Sequence, residues 1–187
     1  MRANTRSAEG TRLLLVVAHP ALPLSHLDQH LVAAVADVPG ATVRDLYATY
    51  EHDAFDPDAE RRAVTGADEV VLLLAVHGRR APRLAQAWCD AVLDGFRYPD
   101  HAFGGVLHGG IEEPAVEPDA VQRLTFDPEV HRLRHLAHRA EMRWRGALVL
   151  RGSATPATGP AGVVQHVLAF LTGARETTST TRREDRR

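Results

Sequence analysis

The chain has 187 residues, 44% of them hydrophobic and 25% charged, with a formal net charge of -2 and a single cysteine. That length suits one domain and allows burial of roughly 70% of the unfolded surface, so no disulfide or structural metal is required to hold it together. The balance of charge offers no basic surface for nucleic acid, and one cysteine excludes an internal disulfide and suits a reducing, cytoplasmic setting.

Residues 1–10 are polar and read as a flexible N-terminus. The apolar run Leu13 to Ala18 is too short to span a membrane or serve as a secretory signal, so no membrane insertion is expected. Without alternation, the run reads as a strand buried on both faces. Pro20 and Pro23 forbid an immediate helix, Ser25 is a candidate N-cap, and Asp28 adds an acid to the first turn. Leu27, Leu31, Ala34 and Val35 then repeat at helical spacing until Pro39-Gly40. Ala41 to Tyr47 is predicted as the second strand, Asp58 to Val64 as a short helix, and Val70 to Val76 as the third strand.

After His77-Gly78 a helix is predicted from Pro82 to Leu93, with Pro82 in the first turn, where a missing N–H costs nothing. Phe103 to His108 is the fourth strand, ended by Gly109-Gly110 and followed by a loop bearing Glu112, Glu113 and Glu117. Glu129 to Met142 is helical by period, Ala147 to Leu150 is the fifth strand, and Val163 to Leu171 is the closing helix. The Thr- and Arg-rich residues 175–187 read as a disordered tail, leaving 11–174 as the folded domain.

Alternating strands and helices imply an α/β fold, a doubly wound five-stranded parallel sheet with helices on both faces, in the flavodoxin-like order. Ligands of such sheets sit outside the carboxyl ends of the strands, which places a site at His19, His77 and Gly109. His19, His77 and His108 end three different strands and can share one crevice, as acid and base or as metal ligands. The abundance of histidine, 11 in all, offers chance as the alternative. His131, His135 and His138 lie on one helix among Arg132, Arg134 and Arg139, which favours a solvated basic face over a zinc site, and no metal is assigned. Ser25 reads equally as a phosphate ligand or a plain cap. Arg79 and Arg80 read equally as an anion grip for substrate or as exposed loop residues. Cys89, beside Trp88, reads as a buried, inert thiol.

Four local patterns, in order, carry a resemblance to a known family. Ala18-His19-Pro20 with Ser25-His26 resembles a phosphate loop; Asp45-Leu46-Tyr47 with Phe55-Asp56-Pro57 resembles a second strand and its loop. Ala67-Asp68 before the third strand, then Pro82, Leu84, Trp88, Asp90 and Gly95-Phe96-Arg97-Tyr98, resembles a helix segment, and Met142-Arg143-Trp144 the entry to the last strand. Together these are similar to the flavodoxin-like NAD(P)H:quinone reductases and the related potassium-efflux ancillary reductases. The resemblance implies FMN or FAD, NAD(P)H as reductant, a small quinone-like substrate and a homodimer. It also implies that His19, Ser25, His26 and Leu27 hold the flavin phosphate and that Gly109 and Gly110 meet its ring, while position at the strand ends makes His108, with His77, the candidate proton donor.

The flavin site is degenerate against the family pattern. Asp28 replaces an asparagine of the phosphate loop; Ala75 and Gly78 replace the proline and aromatic that brace the ring; and Leu107-His108-Gly109-Gly110 replaces a threonine-threonine-glycine-glycine turn. Two other functions are therefore weighed beside the reductase. One is a flavin-free enzyme acting on an aromatic or quinonoid metabolite through the strand-end histidines; the other is a regulatory partner without turnover.

Overall fold

A computed structural model describes residues 11–50, 55–76, 80–109, 126–150 and 159–173. Strand β1 (Leu13–Ala18) is buried along its whole length, as a run of six apolar residues requires if it is to be covered on both faces. Helix α1 (His26–Ala36) starts at the Ser25 cap and turns Leu31 and Val35 inward. Strand β2 (Ala41–Asp45) is shorter than its sequence suggests. The Asp45 carboxylate accepts the N–H groups of Tyr47 and Ala48 at 2.9 and 3.2 Å, which turns Leu46–Thr49 into a one-turn helix, α2, in place of a continued strand.

Helix α3 (Pro57–Thr65) is capped in the same way by Asp56, with proline at its first position. Strand β3 (Glu69–Val76) is wholly buried. Helix α4 (Arg83–Trp88) widens into a π-helical turn over Cys89–Leu93, so the predicted helix is present but not uniformly α. Strand β4 (Ala102–Gly109) is followed by helix α5 (Asp127–Arg139), which stops short of the predicted Met142 because Glu141 adopts a left-handed φ of 57°. Strand β5 (Arg143–Leu150) begins earlier than predicted, through a stretch too polar to read as a strand, and helix α6 (Gly159–Thr172) closes the described chain.

The sheet order is β2-β1-β3-β4-β5 and every pairing is parallel. Successive residues of each strand face opposite sides. Leu14, Val16, Val70, Leu72 and Leu74 pack with Trp88 and Leu133 under α4 and α5; Leu13, Leu15, Val17, Val71 and Leu73 pack with Leu31, Val35 and Leu171 under α1 and α6. Both faces are thus covered, and the carboxyl ends of β1, β3 and β4 open on one edge. Among the described residues no helix is long and apolar enough to cross a membrane.

On the α4 side a fully buried carboxylate, Glu60, ties the layers together. It accepts from Arg44 Nε at 2.6 Å, from Trp88 Nε1 at 3.0 Å and from the Tyr50 hydroxyl. A buried charge is tolerable only when so many donors surround it. No spacing in the sequence announces this cluster, because its members come from β2, the end of α2, α3 and α4.

Candidate functional site

The site grows from the end of β1. The chain leaves Ala18 into His19-Pro20, and His19 Nδ1 accepts the Ala21 N–H at 3.0 Å. Three residues of 3-10 turn, Leu22–Leu24, then lead to Ser25 at the cap of α1. Ser25 Oγ accepts the Asp28 N–H at 3.3 Å and donates its own proton to Asp28 Oδ2 at 2.6 Å. This exchange turns the Asp28 side chain back into the crevice, where it is 0% exposed.

His108 reaches the same carboxylate from β4. Its register partner is Ala75 of β3, and β3 separates β4 from β1. Strands two apart in a sheet are roughly 10 Å apart. The imidazoles lean across that gap and stack, with ring centroids 5.9 Å apart and planes inclined by 12°. His19 Nε2 lies 3.3 Å from Asp28 Oδ2 and His108 Nε2 lies 3.0 Å from Asp28 Oδ1. The second contact is a close charge pair without hydrogen-bond alignment: both atoms are buried and neither makes a hydrogen bond. Burial by itself would push the Asp28 carboxyl up. The closeness and charge of His108, the Ser25 hydroxyl and the charge of His19 outweigh it, and the carboxyl titrates below its ordinary value of 3.8. Asp28 is therefore an ionised carboxylate held inside the crevice.

Two imidazoles and a carboxylate whose ligand atoms all lie within 4.8 Å of one another form the one metal-like cluster among the described residues. The Ala21 contact argues against a metal. Because His19 Nδ1 accepts an amide proton, the neutral ring must carry its own proton on Nε2, the atom that would have to bind the ion. Metal-bound histidines instead donate through their second nitrogen. The cluster is two imidazoles gathered on one buried carboxylate.

The remaining sequence candidates divide. His26 and Leu27 form the first turn of α1, whose own ladder begins only at the Gln29 N–H to Ser25 O bond, so their N–H groups face outward from the helix start. Gly109 ends β4 with a packing reason of its own: a Cβ there would meet Phe126 Cζ at 3.1 Å. Arg80 is exposed at the start of the segment entering α4. His77, Arg79 and Gly110 lie outside the described residues. His131, His135 and His138 are exposed on α5, as a solvated face requires, but Arg132 turns inward to Glu129 at 2.6 Å and toward Cys89 Sγ at 3.8 Å. Cys89 is fully buried and its thiol is pushed up to about 12, chiefly by burial, which leaves it inert as expected.

Comparison with known proteins agrees with this fold. A family model described as the flavodoxin-like fold matches residues 11–113. The chain is 24% identical over 151 residues to the glutathione-regulated potassium-efflux system ancillary protein KefG of Cronobacter sakazakii, covering 76% of this chain and 82% of that protein. A solved structure of general stress protein 14 from Treponema denticola, in complex with FMN, superposes with a TM-score of 0.75 at 20% identity, over 88% of this chain and 99% of that one. An NADPH-quinone reductase from P. pentosaceus superposes with a TM-score of 0.67 at 20% identity, over 88% and 98%. With the sheet order, the crossovers and more than half of the chain matched by the family model, this chain belongs to the flavodoxin-like fold family.

Proposed function

We propose that this protein is an NAD(P)H-dependent flavin oxidoreductase that reduces a quinone-like acceptor. The observation that carries the reading is the convergence of His19 and His108 on Asp28 at the carboxyl ends of β1 and β4, the edge where doubly wound sheets bind their ligands. The KefG relative, the FMN-bound stress protein and the NADPH-quinone reductase of like fold support it.

The residues divide the work by position. His108 reaches the crevice from β4 and supplies the proton that a two-electron-reduced quinone needs. Asp28 fixes the rings of His108 and His19, as the carboxylate of an acid-base dyad fixes its imidazole. The exposed Arg80 is the proposed partner of the anionic part of NAD(P)H. The N–H groups of His26 and Leu27 suit an anion at the α1 start, but the charge of Asp28 occupies that start, and the flavin phosphate of FMN does not fit beside it. The working unit is a cytoplasmic homodimer in this proposal, as the family resemblance implies.

The test is the absorbance spectrum of the purified protein with added flavin, followed by NAD(P)H oxidation with a simple quinone. Flavin-dependent, saturable NAD(P)H oxidation supports the reading. A protein that takes up no flavin and oxidises no NAD(P)H overturns it.

A further inference from the structure

The start of α1 leaves the N–H groups of His26 and Leu27 without intrahelical acceptors, with Ser25 as the cap. A phosphate seated there would compete for a hydroxyl already committed, since Ser25 Oγ donates to Asp28 Oδ2 at 2.6 Å. It would also meet the Asp28 charge, which is fully buried and therefore weakly screened. The chain has no lysine, and among the described residues no arginine pairs with Asp28. The groups that face it are the Ser25 hydroxyl from its own helix, His19 from the end of β1 and His108 from β4. The first turn of α1 thus already carries a buried negative charge of the protein itself.

Two polar atoms at this point have no hydrogen-bond partner: Asp28 Oδ1 and His108 Nε2, both buried and 3.0 Å apart. A hydroxyl group satisfies such a pair, donating to the carboxylate oxygen and accepting from the imidazole N–H. A phosphate dianion carries only acceptors and charge, and cannot satisfy Oδ1.

We propose that Asp28 is a specificity-determining residue: the crevice takes flavin as the uncharged, hydroxyl-ended riboflavin and rejects the phosphorylated FMN. The inference rests on the flavin reading above and deepens it, by naming which flavin the site accepts. It also predicts a flavin that exchanges with solution, because the phosphate anchor is not used.

The experiment is an equilibrium titration of the full chain with riboflavin and with FMN, read by quenching of flavin fluorescence, for the wild type and for Asp28→Asn. At about pH 8, above the ordinary imidazole range, the wild type binds riboflavin about tenfold or more tightly than FMN. Asp28→Asn strengthens FMN binding about tenfold or more and so brings the ratio of the two affinities toward unity, since the amide loses the charge. Should the variant fail to fold, the wild-type ratio decides alone. Wild-type protein that binds FMN as tightly as riboflavin at about pH 8 overturns the inference and leaves the flavin reading standing. Absence of binding of either flavin to either protein overturns both.

Discussion

His108 Nε2 and Asp28 Oδ1 lie 3.0 Å apart at the carboxyl edge of the sheet, although one belongs to β4 and the other to the first turn of α1. The contact exists because β1, β3 and β4 are neighbours in a parallel sheet. Only the folded topology brings a strand end and a helix start from separate parts of the chain to the same carboxylate.

If His108 supplies the proton to the reduced acceptor, His108→Ala should lower kcat for quinone reduction by about a hundredfold, the lower end of what one positioned acid contributes. KM for NAD(P)H should stay within about threefold, because binding of the reductant does not use the ring. Steady-state kinetics of the variant and of wild type under the same conditions check both numbers.

Ser25 serves the helix as well as the carboxylate. Ser25→Ala removes a cap worth about 1 kcal/mol and also takes away the hydroxyl that donates to Asp28, so a loss of about 1–2 kcal/mol is expected in urea unfolding. Ser25→Thr, which keeps the hydroxyl, should recover most of it.

The Glu60 cluster is a folding device. Removing the carboxylate strands Arg44, Tyr50 and the Trp88 indole N–H without their shared acceptor. Glu60→Ala should therefore cost on the order of 3–5 kcal/mol, with altered Trp88 fluorescence in any protein that still folds. Glu60→Gln keeps an acceptor and should cost less.

Cys89 carries a pH signature. Its thiol ionises near 9.0 when exposed and is pushed up to about 12 in the fold, mainly by burial. A raised thiol contributes stability that is complete below the unfolded value and is lost as pH climbs through the folded one. Stability should therefore fall between about pH 9 and 12, and Cys89→Ala should flatten that decline. A thiol reagent at neutral pH should label the native protein far more slowly than the unfolded chain.

What the sequence made legible was set by how local the cause was. β1 and β3 are continuous apolar runs, so their burial on both faces and the parallel sheet followed from composition alone. α2 escaped notice because one carboxylate, Asp45, makes a single helical turn where hydrophobic pattern still reads as strand. The start of β5 escaped because Arg143 and Arg145 do not read as strand residues, yet Arg145 is held by Glu69 at 2.5 Å at the amino edge of the sheet. His19 and His108 were found by the rule that strand ends carry function. Asp28 was read only as a helix-start acid and a departure from a family asparagine; its role as the shared partner of both imidazoles depends on the sheet order and on a bond from Ser25, neither of which leaves a spacing signal.

The most direct test of the account is NAD(P)H oxidation by the purified full chain, supplied with riboflavin and a simple quinone, comparing wild type with His108→Ala. Rapid, saturable, quinone-dependent oxidation is expected of the wild type, and a roughly hundredfold slower reaction of the variant. No oxidation above the protein-free control, or equal rates in both proteins, would contradict it.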